Sequence, residues 1–380
     1  MKNKFLIIIM IIVFFFFDAT ISYAKKKTII KEKTSDKEIR AIYISYIEYL
    51  NNFSGGSKKI NQAKISKMID NISENKLNNI FLHVSPFSDS IYESKLFPYS
   101  YTLTGNEDNN PGFDYLEFFI KKAHAKNIKI HAWINPYRIS FNSNINLLSN
   151  KNPAKKLANT SSVKEDKNGI YYNPASEIVK NLIVRQVEEI IDKYEVDGIH
   201  FDDYFYVQKD IDNVEYINYK NNGGKLSLKE FRLNNTNDLI KRVYKTIKEK
   251  NKQIIFSIAP DGNINNNYLY HFADVKTWLK NSEYIDIIMP QIYYGFNNEY
   301  APFEKVLDSW MKLCINDNIK IIPVLAKYKE GKIDNEAGRG KDEWVNNTDI
   351  INMQIKFIKN KNLDGYALFR YEFLINDGFK

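Results

Sequence analysis

Two adjacent carboxylates, Asp202 and Asp203, end the apolar run Gly198-Ile199-His200-Phe201 and lead into Tyr204-Phe205-Tyr206. Paired carboxyls suit general acid–base work, in which one group carries a proton while the other acts ionised. Successive residues of a strand face opposite ways, so Gly198, His200 and Asp202 share one face and Ile199 and Phe201 the other. The apolar pair packs outward, which turns His200 and Asp202 inward. Asp202 is therefore the first catalytic candidate, as nucleophile or base. Asp203 joins it only if the strand ends before it and the chain turns. Otherwise Asp203 orients Arg138 or Tyr204, and the partner acid is Asp89, Asp261 or Glu372.

Polar and aromatic residues also follow the other apolar runs: His83, Ser85 and Asp89; Trp133, Asn135, Tyr137 and Arg138; Ser257, Asp261 and Asn263; Gln291, Tyr293 and Tyr294; Arg370 and Glu372. Aromatic faces pack on sugar C–H surfaces while amides and carboxylates bind hydroxyls, so this set suits a carbohydrate. His83, Asp89, Asn135, Tyr137, Arg138, His200, Tyr204, Gln291, Tyr293 and Tyr294 are expected to contact it. His83, His131 and His200 also fit hydrogen-bonded interior roles. Those three histidines with Asp202 could ligate a divalent ion. However, the first strand lacks a His-x-His pair, and His83 and His131 precede their strand tips, so no metal is expected. With no Gly-x-Gly-x-x-Gly after a strand, no nucleotide cofactor is expected either.

Apolar strands alternate with amphipathic helices from residue 38 onward. Strands are predicted at 40–45, 79–84, 129–134, 197–201, 253–259, 285–289, 320–324 and 365–369. Helices are predicted at 60–75, 114–126, 176–194, 227–250, 272–279, 303–315 and 342–359. This alternation predicts a (β/α)8 barrel over 38–380, with a short or missing last helix; a doubly wound open sheet is the competitor. In a barrel, chemistry sits just past the C-terminal ends of the strands, where the residues above fall. The polar stretch 140–172 is predicted to be a long binding or mobile loop.

The N-terminus pairs Lys2 and Lys4 with an apolar run of 13 residues, Phe5 to Phe17, and a small-x-small site at Ser22-Tyr23-Ala24. That is the pattern of an export signal over 1–24. The run is shorter than the roughly 20 residues of a membrane span, so no stable insertion is expected after cleavage. Residues 25–37 are a basic lead-in. The expected location is extracellular, or periplasmic where an outer membrane exists. Lys2 and Lys4 less Asp18 contribute +1 of the formal net charge of +8, leaving +7 on the mature chain. Its lysines are scattered along helix faces, and no nucleic-acid motif accompanies them, so nucleic acid is not an expected partner. The single cysteine, Cys314, lies in an apolar helical run and is expected to be a core residue.

Several motifs together resemble the glycosyl hydrolase-like 10 family: His131-Ala132-Trp133-Ile134-Asn135-Pro136-Tyr137-Arg138, Asp197 through Tyr206, and Pro290-Gln291-Ile292-Tyr293. Pro111-Gly112-Phe113-Asp114-Tyr115-Leu116 and Tyr171-Tyr172-Asn173-Pro174 agree with it, over about residues 40–371. The resemblance implies a barrel, export and hydrolysis of O-glycosidic bonds, with peptidoglycan glycan strands as the substrate of some members. A carbohydrate-binding barrel without turnover and a metal-dependent hydrolase are the alternatives. One departure stands out. The family commonly has Arg-Pro after the second strand, where this chain has Ser85-Pro86, so Arg138 or Arg370 must supply the missing cation or the substrate lacks the matching group.

Overall fold

A computed structural model describes residues 38–207 and 210–374. The export signal over 1–24 and the lead-in over 25–37 lie outside the described residues. Eight parallel strands form the centre: β1 (Ile39–Ile44), β2 (Asn79–Ser85), β3 (Lys129–Ile134), β4 (Gly198–Phe201), β5 (Ile255–Ile258), β6 (Ile287–Ile288, resuming at Gln291–Ile292), β7 (Lys320–Ile321, resuming at Val324–Leu325) and β8 (Gly365–Leu368). The first halves continue the ladder from β1 to β7, and the second halves of β6 and β7 pair with each other and carry it on to β8 and β1. The sheet closes on itself as a (β/α)8 barrel.

Pro290 and Pro323 cause the breaks in β6 and β7, because proline has no N–H to give the ladder. Hydrogen bonds bridge both gaps: Ile322 N donates to Ile288 O at 2.9 Å, and Val324 N to Pro290 O at 2.9 Å.

The surrounding helices are α1 (Lys58–Glu74), α2 (Tyr115–His124), α3 (Glu177–Lys193), α4 (Leu228–Lys250), α5 (Val275–Lys280), α6 (Phe303–Leu313) and α7 (Ile350–Asn360). Their starts follow local chemistry. Ser57, Asp114, Ser176 and Ser227 each cap with a side-chain oxygen, and Ser227 forms a capping box with Glu230. After β8 the described residues hold only a 3-10 turn, Tyr371–Phe373. Cys314 ends α6 half-buried against the core.

Strand alternation is realised in β4. Ile199 and Phe201 enter the apolar layer beneath the helices, with Phe201 edge-on to Phe256 at 5.2 Å. His200 turns into the barrel, where Phe81 lies 4.6 Å from both His131 and His200. Gly198 is required here, since a Cβ would sit 2.2 Å from His131 Nδ1.

Several segments depart from the sequence reading, among them a helix at Asn213–Asn221 where none is predicted. The stretch 140–172 is not one open loop: Arg138–Ser140, Gly169–Tyr172 and Val163–Asp166 form an antiparallel sheet. Gly169, at φ 133°, makes the close turn possible, because a Cβ would lie 2.2 Å from Ser140 O. A helix that the sequence reading did not anticipate, Tyr46–Asn52, follows β1 directly, capped by Ser45 with Glu48. The helix expected over 342–359 is broken into Glu343–Asn346 and Ile350–Asn360.

Candidate active site

A cavity of about 280 Å³ opens at the C-terminal ends of the strands, near the lower end of the roughly 300–1,000 Å³ usual for small-molecule sites. Tyr43, Ser45 and Tyr46 reach it from β1 and its following turn, His83 from β2, and Trp133 and Arg138 from β3. Asp202, Asp203 and Tyr204 come from β4, Ala259 from β5, Gln291 and Tyr293 from β6, and Phe369 from β8.

β4 ends at Phe201 and the chain bends at Asp203, with Phe205 N donating to Asp203 O at 2.9 Å. This bend answers the question posed by strand alternation: both carboxyls line the same cavity. Asp202 is only 5% exposed. Its Oδ2 accepts from Trp133 Nε1 and Asn135 Nδ2, each at 3.2 Å, and its Oδ1 from Tyr204 N at 3.4 Å. Burial first, then repulsion from Asp203, pushes its pKa to about 7, against the opposing pull of Arg138. Burial also raises Asp203, and the nearby His271 offsets part of that. A proton is therefore available in this pair near neutral pH.

Arg138 is 7% exposed, and its guanidinium lies 3.7 Å from the Tyr204 ring centroid and 4.7 Å from that of Phe141. Its Nε has no partner among the described residues. A buried cation clamped between aromatic faces suits an oxygen-rich ligand. Arg370, the other cation that could stand in for the family's arginine, is held by Glu48 and Glu372 instead. Arg138 is thus the cation that lines the cavity.

His83, His131 and His200 are interior groups, each almost wholly buried. His200 Nε2 lies 3.0 Å from the Tyr43 hydroxyl and its Nδ1 2.8 Å from Ser257 Oγ. Burial holds His200 and His83 well below the ordinary histidine value. His83 stacks on Trp133, with centroids 3.6 Å apart and planes 7° apart, and stiffens the indole that bonds Asp202. His131 reaches Asn79 at 3.0 Å, deeper in the barrel. Among the described residues, no group of three or more His, Cys, Asp or Glu side chains is arranged to hold a metal ion.

Of the expected contacts, His83, Arg138, Tyr204, Gln291 and Tyr293 line the cavity beside the Asp pair. Asn135 acts one step back, holding Asp202 with its amide while its Oδ1 accepts from Arg138 N at 3.1 Å. His200 supports Tyr43 from behind. Tyr137 is instead a core residue, 1% exposed. Asp89 is fully buried beneath the loop after β2, where it caps Phe87 N at 3.0 Å. Tyr294 faces a second hollow of about 370 Å³ between the segment after β5 and α6. Tyr43 was missed in the sequence, although it alternates with Ala41 and Ser45 on the inward face of β1. No spacing signal marks His271, which ion-pairs with Asp261 at 3.8 Å.

The family described as glycosyl hydrolase-like 10 matches residues 38–346. "Glycosyl hydrolase YngK" of Bacillus subtilis is 29% identical over 348 residues, which span 86% of this chain and 67% of that protein. "Glycosyl hydrolase DigH" of Escherichia coli K12 is 29% identical over 342 residues, 82% of this chain and 76% of that protein. The glycoside hydrolase domain of PgaB (BpsB) from Bordetella bronchiseptica superposes with a TM-score of 0.59 at 11% identity, covering 89% of this chain and 95% of that one. The β-amylase catalytic domain from Paenibacillus polymyxa gives 0.53 at 8% identity, over 90% and 94%. These two structures share the barrel fold.

Proposed function

The chain belongs to the glycosyl hydrolase-like 10 family and is a glycosidase, and from that premise we propose that it is exported and cleaves the O-glycosidic bonds of a polysaccharide, cell-wall peptidoglycan strands above all, with Asp202 as its acid/base. The observation that carries the proposal is the Asp202 carboxyl, buried, held by Trp133 and Asn135 and raised to about 7 in an aromatic-walled cavity. A carboxyl in that range gives a proton to a leaving oxygen and takes one back from water at neutral pH.

Arg138, Tyr204, Gln291 and Tyr293 hold the sugar: aromatic faces take its C–H surfaces, and the guanidinium and amide take its oxygens. Three features support export and a wall substrate. They are the signal pattern at 1–24, the +7 charge of the mature chain against an anionic wall, and the resemblance to a family some of whose members cut glycan strands. Among the described residues no helix is long and apolar enough to cross a membrane.

The test is incubation of the mature protein with intact and with stem-peptide-free peptidoglycan, followed by mass analysis of the products. New reducing ends on shortened glycan strands are expected. Strands bound but left at full length would return the carbohydrate-binding alternative to favour.

A further inference from the structure

Glycosidases that use two protein carboxyls place them on either side of the scissile bond, about 5–5.5 Å apart for retention and 6.5–9.5 Å for inversion. Here the cavity's carboxyls are Asp202 and Asp203, neighbours that leave one strand end. Opposite β4 in an eight-stranded ring stand β8 and β1, and the cavity residues they and the segment after β1 supply are Phe369, Tyr43, Ser45, Tyr46 and Ile47. Among the described residues, that wall carries no acid. The other carboxyls within reach are engaged elsewhere. Glu48, 1% exposed, accepts from Ser45 N at 2.8 Å and from Arg370 Nε at 3.0 Å. Asp261 accepts from Asn263 N at 2.7 Å and Asn266 Nδ2 at 2.9 Å, and Glu372 pairs with Arg370.

With acids on one side only among the described residues, a nucleophile supplied by the substrate itself completes the site. We infer that the nucleophile is the carbonyl oxygen of the substrate's own 2-acetamido group, so that the sugar on the non-reducing side of the cleaved bond is an N-acetylated amino sugar. This inference rests on the glycosidase reading above. In the first half-reaction the acetamido oxygen bonds to C1, the C1–O bond to the leaving sugar breaks, and the Asp202 proton passes to the leaving oxygen. The product is a cyclic oxazolinium ion. Its N–H and positive charge fall to the Asp203 carboxyl, which lines the same cavity with His271 nearby and Asp261 behind that imidazole. In the second half-reaction water gives its proton to Asp202 and its oxygen to C1. The acetamido C–O bond to C1 breaks, and its electrons restore the amide. The sum is one water added, with retained configuration.

The experiment uses glycan strands freed of stem peptides, native and chemically N-deacetylated, together with the thiazoline analogue of the oxazolinium ion. Wild-type protein is expected to cleave the native strands at least a hundredfold faster and to release the retained anomer first. The thiazoline competes, and Asp203→Asn weakens its binding at least tenfold. Release of the inverted anomer, equal cleavage of deacetylated strands or no effect of the thiazoline would overturn the inference while leaving the glycosidase reading intact. No cleavage of either strand would remove both.

Discussion

Trp133 Nε1 lies 3.2 Å from Asp202 Oδ2, so the last part of β3 holds the carboxyl that leaves β4. The indole cannot easily move aside, because His83 stacks flat against it. Trp133→Phe keeps most of the stacking and deletes the donor. A hydrogen bond to a charged group is worth roughly 1.5–3 kcal/mol, so kcat is expected to fall roughly ten- to a hundredfold. Losing a donor that favours the ionised form also moves the alkaline limb of the kcat/KM profile upward from about 7. A pH–rate series on wild type and variant checks both; an unmoved limb contradicts the contact's role.

Arg138 faces the same carboxyl as a cation and is clamped by Tyr204 and Phe141. Arg138→Met retains bulk and removes charge. KM is expected to rise about tenfold, as for loss of a charge-assisted hydrogen bond. The Asp202 limb should again shift upward, since Arg138 pulls it down in the wild type. Steady-state kinetics on glycan substrate decide it: a fall in kcat alone, with KM and pH limb unchanged, is the contrary result.

Asp202 also leaves a mark on stability. It titrates at about 7 when folded and at its ordinary 3.8 when free. Between those values the folded chain binds more protons than the unfolded one, so the group's contribution to stability falls as pH rises from about 4 to about 7. At roughly 1.4 kcal/mol per unit, the loss is at most about 4 kcal/mol. Asp202→Asn removes it. The variant is expected to gain more in thermal stability over wild type at pH 8 than at pH 4, as read by melting curves. Equal differences at the two pH values contradict a carboxyl that is costly to ionise.

Gly198 tests the barrel interior. A methyl there would meet His131 Nδ1 at 2.2 Å and Ile255 O at 2.9 Å, and the latter is backbone that cannot swing away. Gly198→Ala is expected to cost roughly 1–3 kcal/mol, as overpacking of a filled interior does. Denaturant titration measures it, and an unchanged midpoint contradicts the packing described.

Much of this was legible in the residues, and the illegible parts share a cause. Alternation along 198–202 correctly turned His200 and Asp202 inward, because strand geometry is periodic and the outer face was plainly apolar. It said nothing of Asp203, whose direction depends on where the strand stops. The antiparallel sheet over Arg138–Ser140 and 163–172 was hidden because its pairing is long-range and its composition is that of a loop. Pro290 and Pro323 lie inside strands β6 and β7, a placement that local preference argues against and that ring closure tolerates. Tyr137 shares its motif with Arg138, yet only the arginine reaches the cavity, since the turn begun by Asn135 sends Tyr137 into the core.

The most direct measurement is the rate of new reducing ends from peptidoglycan glycan strands with purified Asp202→Asn beside wild type. The substitution preserves shape and the Trp133 contact but removes the proton carrier. Turnover is expected to fall by roughly 10²–10⁴, with the variant still folded and strand binding retained. Undiminished turnover in that variant would contradict the assignment of Asp202 as the acid/base.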